Sequence, residues 1–353
     1  MSNATELDWR QLADPERLLA WMDRQGLGEG PLENVLQLTG GTQNLLLRFE
    51  RAGRGYVLRR PPLHPRMDGN AIMQREIRVL GALADTDVPH PRLIAGCLDP
   101  EVIGCMFYLM EPIDGFNASV GMPALHAGDP AVRHRMGLAI AEGAAALGRV
   151  DLAAVGLSDF GKTEGFLERQ VPRWLKQLDS YREYAGWPGP DSLGDVKGIA
   201  GWLTEHRPTS FQPGLMHGDY HIANVMYRND SPELAAIVDW ELCTAGDPLI
   251  DVGWLMATWD GVSASSRVQP WHGFPTPQEL VEHYAKFTTR DLSHLKWYAV
   301  LACFKLGLIL EGSHARACAG KAPKDIGDRL HATTQALLAR ASGWIDSPNA
   351  MRV

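Results

Sequence analysis

The chain has 353 residues, 45% of them hydrophobic, enough to fill one large two-lobed domain or two ordinary ones, and disorder is excluded as its default state. Lysine and arginine number 34 against 42 acids, a net charge of -8 that argues against a generally basic nucleic-acid surface, so an anionic ligand needs a local positive site. The longest apolar stretches, such as "YAVLACFKLGLILEG", are too short or interrupted to span a bilayer, and "MSNATELDWRQ" lacks the parts of a signal peptide, so a cytoplasmic location is expected. Cys97, Cys105, Cys243, Cys303 and Cys318 form no CxxC pair or zinc-like spacing and are expected to be reduced, mostly buried thiols.

In chain order, "ENVLQLTG", "QNLLLRFE" and "RGYVLRRP" are short apolar or alternating runs separated by "GGT" and "RAGRG", which predicts three antiparallel strands joined by glycine turns. "NAIMQREIRVLGALA" spaces Ile72, Ile77, Leu80 and Leu83 as a helix does, and the prolines of "VPHP" end it. Two more strands, "RLIAGCL" and "CMFYLMEP", complete a five-stranded unit, followed by a hinge near Met110 to Gly115. Beyond it the pattern turns helical: "AVRHRMGLAIAEGAAALGRV", "FLERQVPRWLKQLDSYREY", "VKGIAGWLTEH", and stretches around 277–288, 292–312 and 325–345. Short strands return around residues 212–240, where "HGDYHIAN" is followed by "IVDWE".

Those two segments admit two chemistries. His217, Asp219 and His221 alternate and could share a metal on one side of a strand, but His126, His134, His272, His283, His294 and His314 are scattered singly and offer nothing to close a hydrolase's coordination shell. The other reading uses Asp219, Asn224 and Asp239. Phosphoryl transfer needs a carboxylate to orient or deprotonate the attacking hydroxyl and oxygen ligands for magnesium, and an aspartate followed five residues on by an asparagine, then a strand-end aspartate, supplies them.

"HGDYHIANVMY" followed by "AIVDWELCTAGDPLIDVGWL" resembles the double signature of the aminoglycoside phosphotransferase and choline kinase-like superfamily, over roughly residues 30–315. The resemblance implies an α+β, bilobal protein-kinase-like fold. Its small N-terminal nucleotide-binding lobe, residues 1–112, has a five-stranded antiparallel sheet plus a helix; its larger, mainly helical catalytic and substrate-binding lobe spans 113–353. It also implies ATP as co-substrate, Asp219 as catalytic base, and Asn224 and Asp239 as Mg2+ ligands.

In such a lobe Gly40 and Gly41 of "LTGGTQN" are the candidates for letting backbone amides approach phosphate, although a plain hairpin turn reads equally well. Arg59 of "YVLRR" stands where the family often has lysine, with Arg60 on the opposite strand face and Glu76 as the natural partner of Arg59. Met110, Glu111 and Ile113 fall at the hinge, where backbone reads the adenine edge and apolar side chains sandwich the ring. Gly218 replaces the arginine that in protein kinases senses a phosphorylated loop, and "DWELCTAGDP" leaves little room for one. Asp247 and Asp251 are expected to cap or brace the catalytic loop, His217 to pack beneath it, and His221 to touch substrate or simply pack.

Within the superfamily, "GGTQNLLLRF", "YVLRRPP" and "FLERQVPRWLKQ" look most like the kinase-type domains associated with acyl-CoA dehydrogenases. That likeness makes the hydroxyl of a hydroxyacyl-CoA the leading acceptor, with aminoglycosides, choline and sugars as alternatives and a non-catalytic nucleotide-binding pseudokinase as the competing class. Arg169, Arg173 and Lys176 put positive charge on one side of a helix, where CoA phosphates or water could meet it, and Trp174 is expected in the core.

Overall fold

The first three alternating runs become strands β1 (Glu33–Leu38), β2 (Leu45–Arg51) and β3 (Arg54–Arg60), and with β4 (Leu93–Cys97) and β5 (Phe107–Met110) they make an antiparallel sheet in the order β1-β2-β3-β5-β4. The computed structural model describes residues 8–38, 45–63, 68–259, 268–347 and 351. Gly40 and Gly41 lie outside the described residues. The chain divides into two units, Met1–Asp114 with Val238–Glu241, and Gly115–Ile237 with Leu242–Val353.

In the first unit, alternation along the strands sorts side chains to two faces. Leu47, Phe49, Tyr56, Leu58, Phe107 and Leu109 share a core with Leu12, Leu18, Trp21 and Met22. The last four belong to two helices absent from the sequence expectations, α1 (Trp9–Leu12) and α2 (Pro15–Arg24). Asp14 caps α2 by accepting from the Glu16 and Arg17 amides, and Pro15 fits its first turn. Each fully buried Leu or Phe here contributes about 1.5–3 kcal/mol. On the other face lies α3 (Gly69–Ala82), capped by Asp68, which buries Met73, Glu76, Val79 and Leu80. Arg59 points toward α3, whereas Arg60, one residue on, donates to the Leu12 carbonyl of α1.

The second unit is mainly helical. It contains α4 (Ala124–Gly128), α5 (Pro130–Gly148), α6 (Gln170–Ser180), α7 (Val196–Glu205), α8 (Leu249–Thr258), α9 (Pro277–Ala285), α10 (Leu295–Cys318) and α11 (Lys324–Asp346). Two short antiparallel pairs interrupt the helices: β6 (Gly214–Met216) with β9 (Thr244–Gly246), and β7 (Val225–Tyr227) with β8 (Leu234–Ile237). Helix α8 crosses α10 closely because Gly253 faces the Tyr298 carbonyl, where an added Cβ would sit 2.4 Å from the oxygen. No described helix is long and apolar enough to cross a membrane. The cysteines are free thiols, four buried and Cys318 partly so.

Candidate functional site

The sequence "MHGDYHIAN" turns the chain out of β6, through His217–His221 and a 3-10 turn at Ile222–Asn224, into β7. Asp251, in the first turn of α8, braces this loop as expected: its carboxylate accepts from the amides of His217 at 2.6 Å and Gly218 at 2.8 Å. Burial pushes the Asp251 carboxyl up to about 7, against the pull of those two N–H donors. Asp247 accepts from the Leu249 amide at 3.1 Å and from the Tyr298 hydroxyl, which ties the start of α8 to α10.

Gly218 has φ +87°, and a Cβ there would lie 2.6 Å from the Leu242 carbonyl oxygen. Left-handed strain and a backbone clash would act together. Gly218→Ala is expected to cost at least about 2 kcal/mol of stability, read as a lowered denaturation midpoint, and to depress turnover because the neighbouring Asp219 moves with it.

Asp219 is half-buried and held on both oxygens. Trp254 Nε1 donates to Oδ1 at 2.8 Å, and Asn224 Nδ2 donates to Oδ2 at 3.0 Å and to the Asp219 carbonyl at 2.9 Å. His221 Nδ1 accepts from the Ala223 amide at 3.3 Å, so the proton of a neutral His221 sits on Nε2, which lies 3.5 Å from Asp219 Oδ2. Burial alone would raise the Asp219 pKa, but His221, His217 and Trp254 overcome it and hold the carboxyl at about 2. His221 is buried against the aspartate, and His217 is fully buried beneath it.

In the first unit, Arg59 forks onto Glu76 through Nε at 2.9 Å and Nη2 at 2.6 Å, and Nη2 also donates to Asp239 Oδ1 at 2.9 Å. The Tyr108 hydroxyl donates to Glu76 at 3.2 Å. Burial would lower the Arg59 pKa, but Glu76, Tyr108 and Asp239 hold it well above its ordinary value. Burial likewise pushes Glu76 up, and the guanidinium draws it back, so the pair persists as an ion pair. Asp239 adopts φ 68°, a left-handed conformation that aspartate tolerates better than most residues. Of the hinge residues, Met110 closes β5 in a buried position, and the Glu111 amide already donates to the Arg92 carbonyl at 2.9 Å. An adenine contact from Glu111 would therefore use its carbonyl. Ile113 is partly exposed.

Sequence reasoning missed Lys305. Its ammonium lies 4.4 Å from the centre of the Trp254 ring and 5.5 Å from that of Trp174, and is 3.5 Å from the Gly218 carbonyl. Burial lowers its pKa, while Asp251 and Asp219 pull it back up. A lone lysine inside "LACFKLGLILEG" was the available signal. Trp174 is buried as expected, yet its indole N–H has no hydrogen-bond partner among the described residues. Beside it a cleft of about 880 Å³ is lined by Arg169, Arg173, Lys176, Lys162, Phe166 and Thr244 among others. Helix α6 starts only at Gln170, and the Arg169 guanidinium is committed to the carbonyls of Lys162 and Glu164. Arg173 stacks on Trp174, its guanidinium carbon 5.0 Å from the ring centre.

Residues 34–280 match the model of the phosphotransferase enzyme family. A crystal structure from Ralstonia eutropha, provisionally named as an aminoglycoside phosphotransferase, is 30% identical, covers 93% of this chain and 98% of its own, and superposes with a TM-score of 0.77. The GDP and kanamycin complex of another aminoglycoside phosphotransferase is 17% identical, covers 91% of this chain and 98% of its own with a TM-score of 0.64, and shares the fold. Acyl-CoA dehydrogenase family member 10 of Mus musculus is 29% identical over 83% of this chain and 27% of that protein, and family member 11 of Gallus gallus is 30% identical over 82% and 37%. The chain thus spans about a third of the length of the curated relatives it matches. The family match runs through the sheet, the His217–Asn224 loop and Asp239 alike, and the chain belongs to the phosphotransferase enzyme family.

Proposed function

We propose that the protein transfers the γ-phosphoryl group of ATP, with Mg2+, to a hydroxyl on an acyl-CoA. The observation that carries the transfer is the carboxylate of Asp219, fixed by Trp254 and Asn224 and kept ionised. A carboxylate with a pKa of about 2 is a weak base, so its main work is to align the acceptor hydroxyl, receiving the proton as the new bond develops. The hydroxyl oxygen bonds to the γ-phosphorus, the bond from that phosphorus to the β,γ-bridging oxygen breaks, ADP leaves, and the hydroxyl proton passes to Asp219.

Asn224 and Asp239 are the candidate Mg2+ donors, and each fits on its own geometry. Asn224 spends its amide N–H groups on Asp219 and keeps its carbonyl oxygen to give, while Asp239 is 41% exposed and has one oxygen engaged by Arg59. Such hard oxygen donors suit Mg2+, which would neutralise phosphate charge. The presence of Asp219, Asn224 and Asp239 speaks against the pseudokinase alternative, for which the arginine at the usual lysine position is the one supporting feature; Arg59, in its forked pair with Glu76, is the candidate for binding ATP phosphate, with Gly40 and Gly41 as loop candidates. Met110, Glu111 and Ile113 remain the candidates for adenine.

Support for an acyl-CoA acceptor comes from the acyl-CoA dehydrogenase relatives and from the cleft holding Arg173 and Lys176. Steady-state turnover with ATP and Mg2+ on a panel of hydroxyacyl-CoAs, free hydroxy acids, choline, sugars and aminoglycosides is the test, with GTP as second donor. The hydroxyacyl-CoAs are expected to give the highest kcat/KM; a free acid or an aminoglycoside turned over equally well would sink the acceptor assignment. Lys305→Met is expected to lower kcat/KM for the acceptor about 100-fold while the KM for ATP moves less than about twofold, because the ammonium serves the acceptor side of Asp219.

A further inference from the structure

A second group of metal-capable side chains lies on α10 and α11. Glu311, His314 and Cys318 follow one another at i, i+3 and i+7 along α10, the spacing that puts all three on one helix face, and His331 comes from α11. Ligating atoms of Glu311, His314 and His331 all lie within 4.8 Å of one another. His331 Nδ1 is 2.9 Å from Glu311 Oε2, the two imidazoles stack with centroids 4.3 Å apart, and Cys318 Sγ is 3.5 Å from His314 Nε2.

This is not a solvated surface cluster. Glu311 is 0% exposed, and among the described residues its ion-pair partner is His331, not a lysine or arginine. A buried carboxylate so placed needs compensating positive charge. His314 is 8% exposed, and its Nδ1 has no hydrogen-bond partner among the described residues, the Asp328 carboxylate standing off at 3.9 Å. Trp187 Nε1 donates to Glu311 Oε1 at 2.6 Å, orienting the carboxylate from outside while its other oxygen faces His331, which is how metal-bound carboxylates are commonly held.

We propose that Glu311, His314 and His331, with Cys318 as fourth donor, bind one Zn2+ ion that fastens α10 to α11. One carboxylate oxygen, two imidazole nitrogens and a thiolate make a borderline-soft set that suits tetrahedral Zn2+ and is poor for Mg2+ or Ca2+. The ion supplies the charge Glu311 lacks. The histidines are one to a helix and neither adjoins a CxxC, so linear spacing does not announce the site.

The test uses tag-free full-length protein, stripped with a chelator and titrated with Zn2+ in the absence of nucleotide. One bound equivalent is expected, with a melting temperature raised by about 3–6 °C at hundredfold excess over Kd. His314→Gln and His331→Gln, each measured against its own metal-free form, are expected to lose that rise, so a lower starting stability does not obscure the result. Co2+ in place of Zn2+ should show a thiolate-to-metal absorption that disappears in Cys318→Ser. No bound Zn2+ in the unmodified protein, or an equal rise in the double histidine variant, would overturn the site. Co2+ bound without the thiolate band would overturn Cys318 as a donor.

Discussion

Asp219→Asn is expected to lower kcat by about 10²–10⁴-fold at saturating ATP and acceptor, with a much smaller loss of thermal stability. The two carboxylate oxygens of Asp219 serve different donors, Trp254 Nε1 on one and Asn224 Nδ2 on the other. An asparagine offers one oxygen and one NH2 group, so in either orientation an N–H faces an N–H. The variant loses the ionised acceptor and also the fixed direction in which it points. Steady-state turnover beside a thermal melt separates the two effects. A variant that kept turnover within tenfold while remaining folded would falsify the assigned role.

Arg59→Met has the largest expected effect on stability, about 3–5 kcal/mol, because it leaves Glu76 buried with its forked partner gone. Glu76 is fully buried, and of its hydrogen bonds the one from Tyr108 would remain. The pH dependence has a definite sign. Without the guanidinium, burial and the Asp239 charge outweigh the Tyr108 hydrogen bond and raise the Glu76 folded-state pKa above the ordinary 4.5, so the folded variant holds a proton that the unfolded chain releases. The variant's stability is therefore retained below that ordinary value and lost as pH rises through the folded-state one. Urea denaturation at pH 5 and pH 8 should show the gap between wild type and variant widening with pH. Arg59→Lys keeps a charge, but one ammonium cannot reproduce the fork and reach Asp239 as well, so an intermediate loss is expected. Adding Glu76→Gln to Arg59→Met should recover part of the loss; no recovery would place the damage elsewhere.

The sheet was legible because strand alternation is local: "YVLRR" alone separates Arg59 from Arg60, and the two go to α3 and α1. The contact within the His217–Asn224 loop was legible because Asp219 and Asn224 lie five residues apart and touch. Helix α2 was legible but unread, since Asp14–Pro15 followed by Leu18, Trp21 and Met22 has both a cap and a helical period. The start of α6 was misplaced because residues 166–169 count toward an apolar period yet serve as turns. Lys305 was out of reach for a different reason. Nothing in a helical apolar run states which neighbours a lone lysine will meet, and Trp254 and Trp174 come from two other helices. The hinge expectation was sharpened by one hydrogen bond, from the Glu111 amide to Arg92, that no spacing rule contains.

The first unit is not continuous in sequence, since Val238–Glu241 belongs to it, and this bears on how the chain is made. Arg59 and Glu76 can pair as soon as the first 114 residues have left the ribosome, but Asp239 is 180 positions later than Arg59. At a synthesis rate of about 5–20 residues per second, the guanidinium waits roughly 9–36 s for its second carboxylate. A nascent or truncated chain ending at Asp114 therefore contains both members of the Arg59–Glu76 pair but lacks the acid that Arg59 also holds, and the first unit is completed only after about half of the second has been synthesised.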